Sequence, residues 1–391
     1  MYKENIKWNY LFELIYNSNL TRALWPTYLV LKGFSLVEVG LCESVYHLSA
    51  MTFEMPTGVF ADLWGRRNSR VLGVLIKTCE LLLLVYAKNI WLLLLAFSIG
   101  ALGNTFESGA NTAHVYDTLQ ETEDTASFSA IQGFREVLFQ LSSLFSVVIG
   151  GYIANINYDY AYYLTALMML ISVSFLFKMR EVPIERIKHN SSFQAIKYQF
   201  KTSWQAIKAD HSIMAIILFS SLFSSVATMI YFYISTYWQA NGIGISLISV
   251  WLAFEAIGSM AGGLLVGWLL SHKLRRQVIF ITPLISVIGC WLVADLQWGV
   301  LGLGMLGFAE SLLFVISNEL INERITSQVR ATVLSFSSMV FSITMIIIFP
   351  LFGYLAQLLT MAQAFILLAM VTSTLYVVYL ITFRQYLSSS N

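Results

Sequence analysis

Long apolar stretches separated by short polar breaks run along almost the whole chain. A bilayer core about 30 Å thick is crossed by roughly 20 helical residues, and twelve stretches of about that length are present. They lie near 9–31, 37–60, 69–87, 90–115, 129–154, 159–179, 212–240, 246–270, 277–295, 299–320, 331–356 and 361–383. The pattern predicts an all-α membrane protein with twelve transmembrane helices.

One long polar connection separates the sixth stretch from the seventh. We therefore expect two six-helix bundles, over 1–180 and 211–391, joined by a linker over 181–210. The end of that linker, from Ser191 to Asp210, mixes apolar and basic residues. Such a mixture is typical of an amphipathic helix that lies along a membrane surface.

The two halves also resemble each other in sequence. A shift of 209 residues places Gly267 on Gly58 and the pair Arg275-Arg276 on Arg66-Arg67. The second copy is degenerate elsewhere, but the correspondence predicts two pseudo-symmetric bundles related as a parallel repeat.

Composition supports the membrane assignment. Of the 391 residues 57% are hydrophobic and 12% are charged, and the mean hydropathy is +0.69, which is too apolar for a water-soluble domain. The three cysteines, Cys42, Cys79 and Cys290, lie inside apolar stretches without metal-ligand or disulfide-framework spacing. We expect neither a metal nor a cofactor.

Positive charge is distributed unevenly between the two sides. With the N-terminus in the cytoplasm, eighteen of the 23 Lys and Arg residues fall in cytoplasmic segments, whereas only Lys32 and Lys88 fall in outer loops. The positive-inside rule then predicts that both termini are cytoplasmic.

The loop between the second and third stretches carries a motif. Gly58, Asp62, Gly65, Arg66 and Arg67 follow the order Gly, three residues, Asp, two residues, Gly and two basic residues. This loop resembles the one between helices 2 and 3 of major facilitator superfamily transporters. Both glycines are expected to turn the backbone, and the aspartate to cap the next helix or pair with a cation.

The resemblance covers the whole chain and is strongest to bacterial drug:proton antiporter-type members. It implies a cavity between the halves lined by the first, fourth, seventh and tenth helices, alternating access, and a role in conformational gating for the motif. The fifth stretch departs from those antiporters: Gly150-Gly151 is present, but Ser146-Val147 stands where they often carry Gly-Pro.

Ionisable side chains within the apolar stretches are the candidates for proton coupling or substrate binding. Each costs at least about 2.5–3.5 kcal/mol at the membrane centre, so it is expected to face a cavity or a partner. The candidates are Glu13, Arg22, Glu43, His47, Glu107, Glu255 and Glu310. The alternative for each carboxyl is a neutral, hydrogen-bonded group that holds helices together.

Depth along the helices separates these candidates. Arg22 comes level with Glu43 and His47, so a structural ion pair is as well supported there as a substrate contact. Glu255 and Glu310 lie near the midplane of a bundle without intramembrane basic residues, which makes them the sharper candidates for proton loading.

Aromatic residues in the seventh stretch form a second candidate set. Tyr231, Tyr233 and Tyr237 lie on a cavity helix by resemblance and could stack on an aromatic or cationic ligand.

Together these features predict a secondary active transporter of the bacterial inner membrane that exports amphipathic or cationic small molecules in exchange for protons. Its expected partners are that substrate, protons and membrane lipid, with no nucleic acid, and we expect a monomer. A proton-coupled nutrient importer is the alternative, and a lipid flippase is less well supported. The sequence has no Ser/His/Asp nucleophile set, metal cluster or phosphate-binding glycine loop, so an enzyme is not expected.

Overall fold

A computed structural model describes residues 2–182, 210–272, 274–325 and 327–388. In the first half the helices are α1 Glu4–Tyr16, α2 Trp25–Leu31, α3 Leu36–Trp64, α4 Arg66–Tyr86, α5 Ile90–Glu121, α6 Phe128–Ala154 and α7 Tyr158–Lys178. In the second half they are α8 His211–Ala240, α9 Ile245–Ser271, α10 Arg275–Val293, α11 Gly299–Arg324, α12 Ser327–Leu358 and α13 Met361–Ser388. No β-strand occurs in these described ranges.

The helices confirm the predicted all-α membrane fold. Within the described residues, nine helices, α5 to α13, are long and apolar enough to cross a membrane. The helices α3 and α4 span 29 and 21 residues and match the second and third predicted crossings. With α1 and α2 covering the first, each of the twelve predicted stretches has its helical counterpart.

The first crossing is broken, whereas the sequence predicted one continuous helix over 9–31. The Oδ1 atom of Asn19 accepts hydrogen bonds from the backbone N–H of Thr21 at 3.0 Å and from its hydroxyl at 2.8 Å. An Asn side chain that bonds its own local backbone stabilises a turn instead of a helix. Pro26 then lies in the first turn of α2, where its missing N–H costs nothing.

Polar residues in the connections set several of the helix starts. At α3 the side chains of Ser35 and Glu38 form a reciprocal capping box. The side chain of Asn89 accepts from the backbone N–H of Leu92 at 2.9 Å and caps α5 in the same way.

The chain divides into two compact units. The first comprises Met1–Ile187 and Gln239–Val250, and the second comprises Lys188–Trp238 and Trp251–Asn391. The bundle boundaries expected from the sequence stay predictions. The amphipathic helix predicted from Ser191 to Asp210 lies, except for Asp210, outside the described residues.

The core of the second unit is an aliphatic and aromatic cluster to which all six of its helices, α8 to α13, contribute. Ile217 of α8, Ile279 of α10, Ile316 of α11 and Tyr379 of α13 are all buried in it. The Tyr379 hydroxyl donates to the backbone oxygen of Ile279 at 2.8 Å, so this buried polar group has a partner.

Candidate functional site

The motif turns the chain at one of its two glycines. Gly65 has φ +101° and ψ 148°, a conformation open essentially to glycine alone, and separates α3 from α4. Gly58 lies inside α3, which continues to Trp64. The expectation that Gly58 also turns the backbone is therefore wrong, because the helix continues past Gly58 and ends at Trp64, about one turn beyond the predicted end of the crossing at residue 60.

The charged residues of the motif form a small network. Arg66 Nη1 lies 2.6 Å from Asp62 Oδ1, one helical turn earlier, and Arg66 Nε lies 3.4 Å from Asp117 Oδ2 at the end of α5. Arg67 Nη1 donates to the backbone oxygen of Met179 at 3.3 Å. Of the two roles considered for Asp62, the structure shows pairing with a cation.

A carboxylate that sequence reasoning missed caps α4. Glu181 accepts hydrogen bonds from the backbone N–H groups of Arg66 at 2.6 Å and Arg67 at 3.0 Å. These amides belong to the first turn of α4, where the helix dipole favours a negative charge. The only sequence signal was an acidic residue just after the sixth crossing, far along the chain from the motif.

The second copy of the loop reproduces one part of this network. Arg275 begins α10 and forms a bidentate ion pair with Glu323 near the end of α11. In the first unit Arg66 begins α4 and pairs with Asp117 near the end of α5. In both units an arginine at the start of the third helix of the repeat pairs with a carboxylate near the end of the fourth, although Glu323 and Asp117 are three positions out of register under the shift of 209 residues.

Inside the first unit, Glu13 is held by three side chains. Arg135 Nη2 of α6 lies 2.6 Å from Glu13 Oε1, and Asn111 of α5 donates to the same oxygen at 2.6 Å. Asn17, the residue that follows the end of α1, donates to Glu13 Oε2 at 2.7 Å. A buried carboxylate with one cation and two amide donors is well stabilised in its charged form.

A second buried ion pair lies next to this cluster. Arg70 of α4 is fully buried, and its Nε lies 3.3 Å from Glu107 Oε1 of α5. The guanidinium carbon of Arg70 also lies 4.5 Å from the ring centroid of Phe12, which is cation–π geometry. This arrangement favours a role for Glu107 in holding helices together, and its role in proton coupling stays a prediction.

The remaining candidates of the first unit lie on α3 and in the α1–α2 connection. Glu43 Oε1 and His47 Nε2 lie 3.4 Å apart, one turn apart on α3. Arg22 Nη1 donates to the Ser143 hydroxyl at 3.3 Å, and its guanidinium lies 4.4 Å from the ring centroid of Phe139. The substrate-binding role proposed for Arg22, Glu43 and His47 stays a prediction.

The second unit brings its two intramembrane carboxyl side chains together. A Cβ added to Gly307 of α11 would lie 2.3 Å from the backbone oxygen and 3.0 Å from Oε1 of Glu255 on α9. Glu310 lies one turn after Gly307, and the Thr228 hydroxyl of α8 donates to its Oε1 at 3.5 Å. Glu255 and Glu310 are within electrostatic reach of each other.

Glu310 differs from the buried carboxylates of the first unit. Among the described residues, no Lys or Arg lies within ion-pair distance of the Glu310 carboxylate. Both Glu255 and Glu310 are partly exposed. Glu310 therefore has a neighbouring carboxyl group at Glu255, whereas Glu13 and Glu107 are paired with arginines.

The tyrosines of α8 divide into two groups. Tyr233 is fully buried between Phe349 and Phe352, and its hydroxyl donates to the backbone oxygen of Phe349 at 3.4 Å. Tyr237 is 6% exposed and donates to the backbone oxygen of Ala294 at 3.2 Å. Both rings are packed in the interior of the second unit, whereas Tyr231 is partly exposed. The substrate contact expected of Tyr231, Tyr233 and Tyr237 stays a prediction.

Comparison with known sequences identifies related proteins. Residues 11–276 match the family model described as Major Facilitator Superfamily (MFS). The uncharacterised MFS-type transporter YxaM of Bacillus subtilis (strain 168) is 23% identical over 219 residues, which are 55% of this chain and 53% of that protein. An uncharacterised transporter of Buchnera aphidicola subsp. Schizaphis graminum (strain Sg) is 27% identical over 150 residues, 38% and 37% of the two chains. The matches thus span about half of the first relative and little more than a third of the second.

Solved structures share the architecture over nearly the full length. The nucleoside transporter NupG superposes with a TM-score of 0.80 at 15% identity and covers 97% of this chain and 98% of its own. A bacterial homologue of the human lysosomal transporter Spinster, inward-facing and unoccupied, gives 0.78 at 13% identity, with 99% and 98% covered. At such identities the similarity shows a common fold.

Proposed function

The chain belongs to the major facilitator superfamily, and from this premise we propose that it is a proton-coupled transporter that exports amphipathic or cationic small molecules by alternating access. The observation that carries the proposal is the convergence of Glu255 and Glu310 inside the second unit. We further propose that the protein lies in a bacterial inner membrane with both termini in the cytoplasm, as the distribution of Lys and Arg indicates.

Two neighbouring carboxyl groups in a membrane-embedded bundle share protons. When one is ionised, its charge opposes ionisation of the other, so the pair exchanges a proton as a unit. A cationic substrate that approaches the pair stabilises the doubly ionised form and displaces that proton. Substrate and proton then compete for the same negative charge, which is the requirement for exchange.

Thr228 fits this scheme as a positioning residue. Its hydroxyl donates to Glu310 in the present state and supports the ionised carboxylate. Because it can also accept, the hydroxyl serves a protonated Glu310 equally well. A hydroxyl that can either donate or accept allows Glu310 to take up and release its proton while keeping this hydrogen bond.

The decisive experiment uses purified protein in proteoliposomes that enclose a pH-sensitive dye. A tetraphenylphosphonium gradient is the cationic probe, and the measured quantity is substrate-driven proton movement. We expect it to be lost in Glu255→Gln and Glu310→Gln and retained in Glu319→Gln, which removes a carboxylate from the same helix α11 nearer its end. Normal exchange in both carboxyl variants would rule out the pair as the coupling site.

The same variants separate export from import. The fold neighbour NupG is a nucleoside transporter, so a nucleoside is the appropriate probe for import. In intact cells an exporter predicts that Glu310→Gln raises the accumulation of a cationic dye, whereas an importer predicts that it lowers nucleoside uptake. Lipid movement that persists after the proton gradient is collapsed would instead support a flippase.

A further inference from the structure

A stripe of polar side chains follows α1 on the face that meets α5. Asn5, Asn9, Glu13 and Asn17 recur at every fourth residue, which places them on one side of the helix. All four are buried. Asparagine is expensive to bury in a membrane bundle unless its amide has partners, so the stripe requires an explanation.

The contacts with α5 set the register of the two helices. Asn5 Nδ2 donates to Thr118 Oγ1 at 3.2 Å, and Asn111 Nδ2 donates to Glu13 Oε1 at 2.6 Å. The two helices run antiparallel in this register. Asn9, halfway between Asn5 and Glu13, therefore comes level with His114, which is also buried.

Five buried polar atoms have no hydrogen-bond partner among the described residues in the seam formed by α1, α5 and Arg70 of α4, which contacts Phe12 and Glu107. They are Asn9 Nδ2, Asn9 Oδ1, His114 Nδ1, Asn111 Oδ1 and Arg70 Nη2. Each such atom costs about 1–3 kcal/mol if it stays unsatisfied. Their concentration in one seam indicates a ligand that the seam is built to hold.

The chemistry of the five atoms identifies that ligand. Asn9 Nδ2 and Arg70 Nη2 are donors, whereas the oxygens of Asn9 and Asn111 are acceptors. His114 Nε2 lies 3.2 Å from the backbone oxygen of Arg180, so this nitrogen carries the proton in the neutral ring and Nδ1 accepts. A metal cation would satisfy only acceptors and an anion only donors, whereas water satisfies both.

We infer that α1 and α5 enclose a file of bound water molecules along Asn9 and His114, and that this file gives protons a route to Glu13 and Glu107 from the end of the bundle at Asn5. A proton moves along such a file by exchange of hydrogen bonds, with no other group oxidised or reduced. The charged and titratable groups that surround Glu107 are Arg70 of α4, Glu13 and Tyr16 of α1, and Arg135 of α6. This route is separate from the Glu255 and Glu310 pair.

X-ray radiolytic footprinting of the full-length protein tests for the bound water directly. Hydroxyl radicals form from water where it is bound and oxidise neighbouring side chains that bulk solvent does not reach. Met179 is 1% exposed, and its sulfur lies 3.7 Å from Arg70 Nη1, beside the seam. Met169 of α7 is 3% exposed in the same unit and serves as the matched control. We expect oxidation of Met179 but not Met169; equal protection of both would overturn the inference.

Substitution of Asn9 gives an independent test, because the expected change in Tm has opposite signs for a hydrated and a dry seam. In a dry seam Asn9→Leu removes two unsatisfied atoms at nearly constant shape and raises Tm. In a hydrated seam it removes water partners, lowers Tm and abolishes Met179 labelling. Asn5→Leu is the control that lowers Tm in either case, because Asn5 has partners in Thr118 and Arg180.

The proton route has its own readout, which needs no substrate. After a rapid pH change, the infrared carbonyl band of a protonated carboxyl reports proton arrival, and the part of the signal lost in Glu107→Gln belongs to Glu107. We expect this signal to rise more slowly in Asn9→Leu than in the unaltered protein. An unchanged rate would overturn the route, and it would leave the proposed exchange at Glu310 unaffected.

Discussion

The carboxylate of Glu181 occupies the space that a side chain on Gly65 would take. A Cβ added to Gly65 would lie 2.7 Å from Glu181 Cδ and 2.9 Å from both carboxylate oxygens. The same oxygens accept the first two amides of α4. Two features therefore require glycine at position 65: its positive φ, and the Glu181 carboxylate that lies against its Cα.

Gly65→Ala is expected to destabilise the protein by at least about 1–3 kcal/mol, the usual cost of a glycine-only backbone conformation. The clash with Glu181 adds to this cost, because the cap must move to admit the methyl group. The measurement is thermal unfolding in detergent.

Gly58→Ala is the matched control for that experiment. Gly58 lies inside α3, and a Cβ there would meet nothing within 4 Å. Alanine is the better helix former by about 1 kcal/mol, so this variant should be neutral or slightly stabilising. Equal losses of stability in Gly58→Ala and Gly65→Ala would contradict the conclusion that only Gly65 requires a glycine.

Breaking the ion pair between Arg70 and Glu107 should be costly. Glu107→Gln leaves a fully buried guanidinium without its carboxylate, and removing one partner of a buried pair typically costs about 3–5 kcal/mol. The double variant Arg70→Met with Glu107→Gln should recover part of that loss, because neither position then carries an unpaired buried charge. Thermal unfolding of the two single variants and the double variant measures the coupling.

The pair between Arg275 and Glu323 provides a comparison from the second unit. The Arg275 and Glu323 side chains are 34% and 48% exposed, and a solvent-accessible ion pair contributes about 0–1 kcal/mol. Glu323→Gln should therefore change stability far less than Glu107→Gln. A loss of stability in Glu323→Gln as large as that in Glu107→Gln would show that burial does not determine the cost of breaking an ion pair in this protein.

The crossings and the motif could be predicted because their signals are local. A long apolar stretch specifies a membrane helix from its own residues. The members of the motif likewise lie close together in the sequence, with Asp62 four residues before Arg66. The cap by Glu181 could not be found in this way. It joins residues more than a hundred positions apart, and an acidic residue after a helix has many other uses.

Of the stripe on α1, the sequence analysis singles out Glu13 alone. The predicted first crossing begins at residue 9, so Asn5 lies outside it and the four-residue spacing from Asn5 to Asn17 is not apparent. The burial of Tyr233 and Tyr237 could not be predicted for a different reason. A helix pattern shows which residues share a face, but it does not show that Phe349 and Phe352 cover that face.

Tyr233 is expected to contribute to stability and not to ligand binding. Tyr233→Phe loses one hydrogen bond, to the backbone oxygen of Phe349, and should cost about 1 kcal/mol. Because its ring is fully buried, the apparent affinity for a transported compound should stay unchanged. The Tm without ligand measures stability, and its shift with ligand measures apparent affinity. A large loss of affinity in Tyr233→Phe would show that Tyr233 takes part in ligand binding.

The last prediction concerns the close approach of α9 and α11 at Gly307. A Cβ there would lie 2.3 Å from the backbone oxygen of Glu255, so Gly307→Ala must push the two helices apart. Overpacking of this kind costs about 1–3 kcal/mol. Gly304→Ala, one turn earlier on α11, is the matched control, because its Cβ would lie 3.4 Å from the backbone oxygen of Phe254, an ordinary contact.

If Glu255 and Glu310 exchange protons as a pair, Gly307→Ala should also impair substrate-driven proton movement, since it displaces Glu255 relative to Glu310. Loss of stability with normal exchange would mean that coupling depends on Glu310 alone, and normal values for both would show that the helices tolerate a wider separation than their backbone contact indicates.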